Sequence, residues 1–126
     1  MVDQIACVLI VEDEALIAMA LEAILQEVGY RVLVANSVPA ALERCRIRET
    51  DVAILDVNLG RSTISVQNIG LIFLTGHSKT FIPERLRDRP IIAKPFLPSV
   101  VLEAVGVELR MRAANTAYGV MKNQET

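Results

Sequence analysis

The sequence predicts one α/β domain built on a parallel sheet, and three observations lead there. Short apolar runs alternate with longer segments whose apolar residues recur every three to four positions. Several of the short runs are continuously apolar rather than alternating, as strands covered on both faces must be. At 126 residues the chain fits a single domain (1–126) able to bury a core of its own. Strand–helix alternation within one small domain calls for a parallel sheet, helices on its faces and right-handed crossovers.

Each element has its own warrant. Ile5–Val11 (IACVLIV) is apolar throughout and reads as the first strand. Glu14–Val28 carries Leu16, Ile17, Ala20, Leu21, Ile24, Leu25 and Val28 at amphipathic-helix spacing, and Gly29 stands where a helix C-cap belongs. Tyr30–Ala35 is a second strand. Ser37 is a candidate N-cap for a helix through Glu49, with Pro39 tolerated in its first turn. Asp51–Leu55, Ile69–Leu74 and Pro90–Ala93 supply three more strands. Ser99–Arg112 is a last helix with Val101, Leu102, Val105 and Leu109 inward. The core is expected to span about 5–114, and the tail 115–126 to fray.

Composition narrows the function classes. Apolar residues make up 52% and charged ones 22%, which excludes a disordered chain. A net charge of −2 offers no sequence-independent pull on nucleic acid or anionic lipid. No run of about 18 uncharged apolar residues appears, so no membrane span is expected. The start lacks the basic residues and cleavage site of a secretory signal. Cys7 and Cys45 lack CxxC spacing and read as free thiols, inert in packing, which with the missing signal points to the cytoplasm.

Chemistry in such sheets gathers at the carboxyl ends of the strands. Glu12 and Asp13 directly follow the first strand, and Asp56 directly follows the third. If those strands are neighbours, three carboxylates converge, repel one another and raise at least one pKa. A hard divalent cation relieves that repulsion, and oxygen ligands with retained waters suit Mg²⁺. The plainer alternative is that these acids are solvated or cap the next helix, as Asp13 could for one beginning at Glu14. Thr75 ends the fourth strand and Lys94 the fifth, adding a hydroxyl and an ammonium suited to a phosphoryl oxygen. Alone, each reads as an ordinary turn or surface residue; together the five groups point to one site.

Four ordered motifs, IVEDE at Ile10–Glu14, ILDVNL at Ile54–Leu59, LTG at Leu74–Gly76 and KPF at Lys94–Phe96, resemble a two-component response-regulator receiver domain. The resemblance runs from about Ile5 to the final helix. It implies a flavodoxin-like doubly wound sheet of five strands in the order 2-1-3-4-5. It also implies that Asp56 is the phosphoacceptor, taking a phosphoryl group from a phosphohistidine on a sensor histidine kinase. Glu12, Asp13 and Asp56 would hold Mg²⁺, with the main-chain carbonyl of Asn58. Thr75 and Lys94 would engage the phosphoryl oxygens, and Lys94–Pro95 matches a bond that is cis in this family. No segment beyond the final helix is expected to bind DNA or perform a second reaction, so a receiver standing alone, with output through an unknown downstream protein, is expected.

Three departures from the family pattern stand out. Receivers usually carry an aromatic residue three positions before the lysine, and here it is Ile91. Phe73–His77 (FLTGH) resembles the PFxFATGY-type subgroup linked to HWE-type histidine kinases, with His77 in place of Tyr. Finally, Thr75 follows Asp56 by only nineteen positions, so the third helix is expected to be shortened or missing, and the fourth replaced by FIPERLRDR. That shortening is expected to open apolar sheet surface around Val52, Ile54, Ile72 or Leu74 and to favour a homodimer. The alternative is an irregular lid formed by Ile64, Val66 and Ile69. Arg85, Arg87 and Arg89, interleaved with acids, read as a solvated loop. Met111 and Arg112 read as surface.

The leading function is thus a Mg²⁺-dependent phosphoacceptor signalling through protein contacts. The alternative is a degenerate receiver that binds a partner without being phosphorylated. A haloacid-dehalogenase-type phosphatase would need a second Asp where Asn58 stands, and a flavin carrier would need a Ser/Thr-rich loop where the acids stand.

Overall fold

A computed structural model of the chain describes residues 5–44, 50–57, 69–76 and 89–124. Among them are β1 (Cys7–Val11), α1 (Ala15–Glu27), β2 (Arg31–Ala35), α2 (Val38–Arg44), β3 (Val52–Asp56), β4 (Gly70–Thr75), β5 (Ile91–Ala93) and α3 (Pro98–Gln124). The strands form one parallel sheet in the order β2-β1-β3-β4-β5. The fold class and strand order are those expected, and three helices accompany the sheet among the described residues. The connections 58–68 and 77–88, where shortened helices and the Ile64/Val66 lid were placed, lie outside the described residues.

Local chemistry explains the element ends. Ser37 Oγ accepts the amide of Ala40 at 3.2 Å, so the expected cap of α2 is in place. Gly29 adopts φ +97°, its amide reaching Gln26 O and that of Tyr30 reaching Leu25 O. This doubly bonded αL ending closes α1 and turns the chain into β2. Glu14 is the N-cap residue of α1, not Asp13, and its side chain makes no capping bond. The final helix begins at Pro98 and continues to Gln124, past Arg112 and through most of the stretch expected to fray.

Two apolar layers enclose the sheet, and the two-residue period of the strands sorts them. Val8, Ile10, Val52, Ile54, Ile72, Leu74 and Ile92 pack with Leu21 and Leu25 of α1 and Val101 and Val105 of α3. Leu9, Val11, Ala53, Leu55 and Phe73 pack on the other face with Val38 and Ala41 of α2. Val52, Ile54, Ile72 and Leu74 are therefore no more than 1% exposed, contrary to the open patch expected there. The expectation erred on parity: these residues face α1 and α3, not α2. On the α2 side Leu55 and Phe73 are buried too, while Ile69, Leu71 and Ile91 are half-exposed. The premise for a dimer through that patch falls with it.

The opposite end of the sheet is tied to α3. Arg112 Nη1 lies 2.6 Å from Asp51 Oδ1 and 3.3 Å from Thr50 O, while Asp51 Oδ2 accepts the Cys7 amide at 2.8 Å. Arg112, read as surface, instead clamps the helix to the base of β3 and β1. Gly70 opens β4 directly beneath α3, where a Cβ would lie 2.9 Å from Glu108 Cβ. Glycine at this position lets the helix approach the strand.

Candidate metal and phosphoacceptor site

Register assembles the site one step at a time. Val11 pairs with Leu55, so Glu12 and Asp56, one residue further on, emerge side by side. Asp56 pairs with Leu74, which puts Thr75 one step beyond, and Thr75 pairs with Ala93, which puts Lys94 one beyond that. Parallel strands place these successors on the same rim. Each of the five predicted residues within the described segments lies there; Asn58 and His77 fall outside them. Asp56 closes β3 as its last strand residue instead of following the strand.

The rim is acidic and dry at its base. Glu12 and Asp56 are 2% and 1% exposed, and Asp13 is open to solvent. Their carboxylate oxygens lie within 4.8 Å of one another. Main-chain bonds hold Glu12 in place: its amide donates to Ala35 O at 3.0 Å, and its Oε2 accepts the Glu14 amide at 3.0 Å. Lys94 Nζ stands 2.8 Å from Glu12 Oε1 and donates to Asp56 Oδ2 at 3.1 Å. The Lys94 amide donates to Thr75 O at 2.8 Å, anchoring the lysine to the end of β4, and the Lys94–Pro95 bond is cis.

Electrostatics follow from this packing. Burial pushes the Glu12 carboxyl above its ordinary value; Asp56 and Asp13 add to the rise, while Lys94 and the Glu14 amide only partly offset it. Burial alone would lower Lys94, but the carboxylates of Glu12 and Asp56 outweigh it and hold the ammonium above the ordinary lysine value. Lys94 therefore stays charged throughout the neutral range, yet a single ammonium does not balance the acids around it.

The donor set fits a hard divalent cation. It is all oxygen and partly open to water through Asp13, as Mg²⁺ requires. Glu12 Oε1 is buried and makes no well-directed hydrogen bond, although Lys94 lies in ion-pair contact. Glu14 was not among the expected site residues, yet its Oε1 lies 3.9 Å from Lys94 Nζ. Its position, one residue after Asp13 at the same strand end, was the available signal.

The family model of the response regulator receiver domain matches residues 8–105. The chain belongs to that family. Receiver domains bind Mg²⁺ at an acidic pocket, and this receiver has such an acidic cluster at its strand ends. It is 36% identical over 110 residues to the transcriptional regulatory protein PdtaR of Mycobacterium tuberculosis, covering 78% of this chain and 54% of PdtaR. The chain thus spans about half the length of the curated relatives it matches. Among solved structures it resembles SdrG from Sphingomonas melonis, with 36% identity, a TM-score of 0.68, and coverage of 86% of this chain and 99% of that one. It also resembles the N-terminal domain of a response regulator/sensory box/GGDEF protein from Carboxydothermus hydrogenoformans. There the identity is 26% and the TM-score 0.74, with 87% of this chain and 98% of that one covered. Among the described residues, no helix is long and apolar enough to cross a membrane.

Proposed function

We propose that this receiver works in the cytoplasm and accepts a phosphoryl group on Asp56 in a Mg²⁺-dependent reaction, with a phosphohistidine of a sensor histidine kinase as donor. The observation that carries the reading is the meeting of Glu12, Asp13 and Asp56 within 4.8 Å, with Lys94 hydrogen-bonded to Asp56. An Asp56 carboxylate oxygen attacks phosphorus as the donor's P–N bond breaks, leaving an acyl phosphate on the protein and a free histidine on the donor. Glu12, Asp13, Asp56 and the Asn58 carbonyl would hold Mg²⁺, which when bound offsets negative charge on the phosphoryl oxygens. Lys94, already beside Asp56, pairs with one phosphoryl oxygen, and the Thr75 hydroxyl at the end of β4 donates to another. Positioning and charge neutralisation are what such a transfer chiefly needs.

The phosphorylated form signals through contact with a downstream protein. The Phe73–Gly76 run supports pairing with a kinase of the HWE type, and Ile91 makes the switch differ from the usual threonine–aromatic coupling. Intact-mass spectrometry after incubation with acetyl phosphate tests the reading, with and without Mg²⁺ and beside Asp56→Asn. A Mg²⁺-dependent gain of one phosphoryl group, absent in the variant, is expected. No gain in the parent, together with no Mg²⁺ binding, would move the chain to the alternative of a phosphorylation-independent binding module.

A further inference from the structure

We infer that Glu14 is a positioning residue for Lys94, competing with the phosphoryl group for the lysine ammonium. The inference rests on the phosphoacceptor reading and adds a residue to it. Glu14 occupies the N-cap position of α1, where a side chain ordinarily satisfies the first helical amides. Here it makes no such bond, and its Oε1 lies 3.9 Å from Lys94 Nζ while remaining 65% exposed. The Glu14 main chain is engaged separately: its amide holds Glu12 Oε2 at 3.0 Å and its carbonyl accepts the Ala18 amide at 3.0 Å. The backbone is thus fixed while the carboxylate is free to swing at the mouth of the site.

Among the described residues Lys94 has three carboxylate neighbours, and they differ in fate. Glu12 and Asp56, at 2.8 and 3.1 Å, are the two that also belong to the metal cluster. When a cation draws Glu12 and a phosphoryl group caps Asp56, Glu14 is the neighbouring carboxylate left with a claim on Lys94. An exposed contact at this distance is weak and salt-sensitive, so Glu14 tunes the engagement of Lys94 and does not block it.

Beryllofluoride, which mimics a phosphoryl group on an aspartate, tests this when titrated at saturating Mg²⁺ and followed by backbone amide spectra. Glu14→Gln removes the charge; Glu14→Asp keeps the charge but draws it back by one methylene, out of reach of Lys94. Both variants are expected to bind beryllofluoride about two- to five-fold more tightly than the parent, in line with the range for exposed ion pairs. The melting temperature of Glu14→Gln is expected to stay close to the parent's and that of Glu14→Asp not to fall, a shorter acid being suited to the N-cap, which separates positioning from a structural effect. Parent-like affinity in both variants would overturn the inference. So would tightening in Glu14→Gln alone, which would mark a general field effect with no specific contact to Lys94. Failure of the parent itself to bind beryllofluoride with Mg²⁺ would instead refute the phosphoacceptor reading, and the inference with it.

Discussion

Replacing Lys94 with methionine keeps much of the side chain's length and deletes its charge, leaving the acids without their ammonium. The two nearest carboxylates, Glu12 and Asp56, have side chains 0% and 2% exposed. Removing one partner of a buried ion pair costs about 3–5 kcal/mol, because the other charge stays buried and uncompensated. Two features reduce that figure here. Lys94 is itself 13% exposed, and Glu12, whose pKa is already raised, can take up a proton and shed its charge. The expected loss in the presence of a chelator is about 2–3 kcal/mol. For a domain of this size that lowers Tm by about 10 °C. Millimolar Mg²⁺ supplies the missing positive charge, so the loss is expected to shrink by half or more. Thermal and urea melts of parent and variant, each in chelator and in Mg²⁺, measure the difference. Equal destabilisation in both conditions would refute the reasoning, since it would show that a bound cation does not take over the lysine's charge. A variant as stable as the parent in chelator would refute it equally.

Other expectations concern the frame that carries the site. Gly70→Ala brings a methyl group to 2.9 Å from Glu108 Cβ and 3.3 Å from Val52 Cγ2. Neither neighbour is a flexible tip, so urea melts are expected to show a loss of about 1–3 kcal/mol. Ser37→Ala removes the bond to the Ala40 amide and is expected to cost about 1 kcal/mol in the same assay. Asp51→Ala is expected to cost more than Arg112→Ala, because Asp51 serves both Arg112 and the Cys7 amide. The ion pair itself, about a third exposed on each side, contributes no more than about 1 kcal/mol. Equal losses in the two variants would show that the Cys7 bond adds no more than the bond from Arg112 to Thr50 O.

Much of this architecture was readable from residue patterns, and the exceptions share a physical origin. The runs IACVLIV and DVAIL announce strands because only a sheet covered on both sides needs continuous apolarity. Acids directly after those runs announce a rim, because parallel strands end together. What the pattern did not tell was which helix covers which parity of residue. Val52, Ile54, Ile72 and Leu74 share a face by counting in twos, but their cover, α1 and α3, is set by crossover handedness and the order of strands. Glu14 and Arg112 escaped for a related reason. A single charged residue at a helix end looks solvated in sequence, and only tertiary placement shows whether it meets Lys94 or Asp51. Helical residues past Arg112 carry a weak apolar stripe, so composition suggested an end where the backbone continues.

The stepwise register of β1, β3, β4 and β5 implies an unequal tolerance to changes of length. A residue gained or lost in a connection between strands leaves every rung of the sheet where it was. The same change inside β3 would turn Ile54 and Leu55 inside out and swing Asp56 toward the α2 face, away from Glu12 and Lys94. The sheet thus acts as a ruler on which the reactive groups are marked by counting, and its strands are the part of the chain whose length cannot drift.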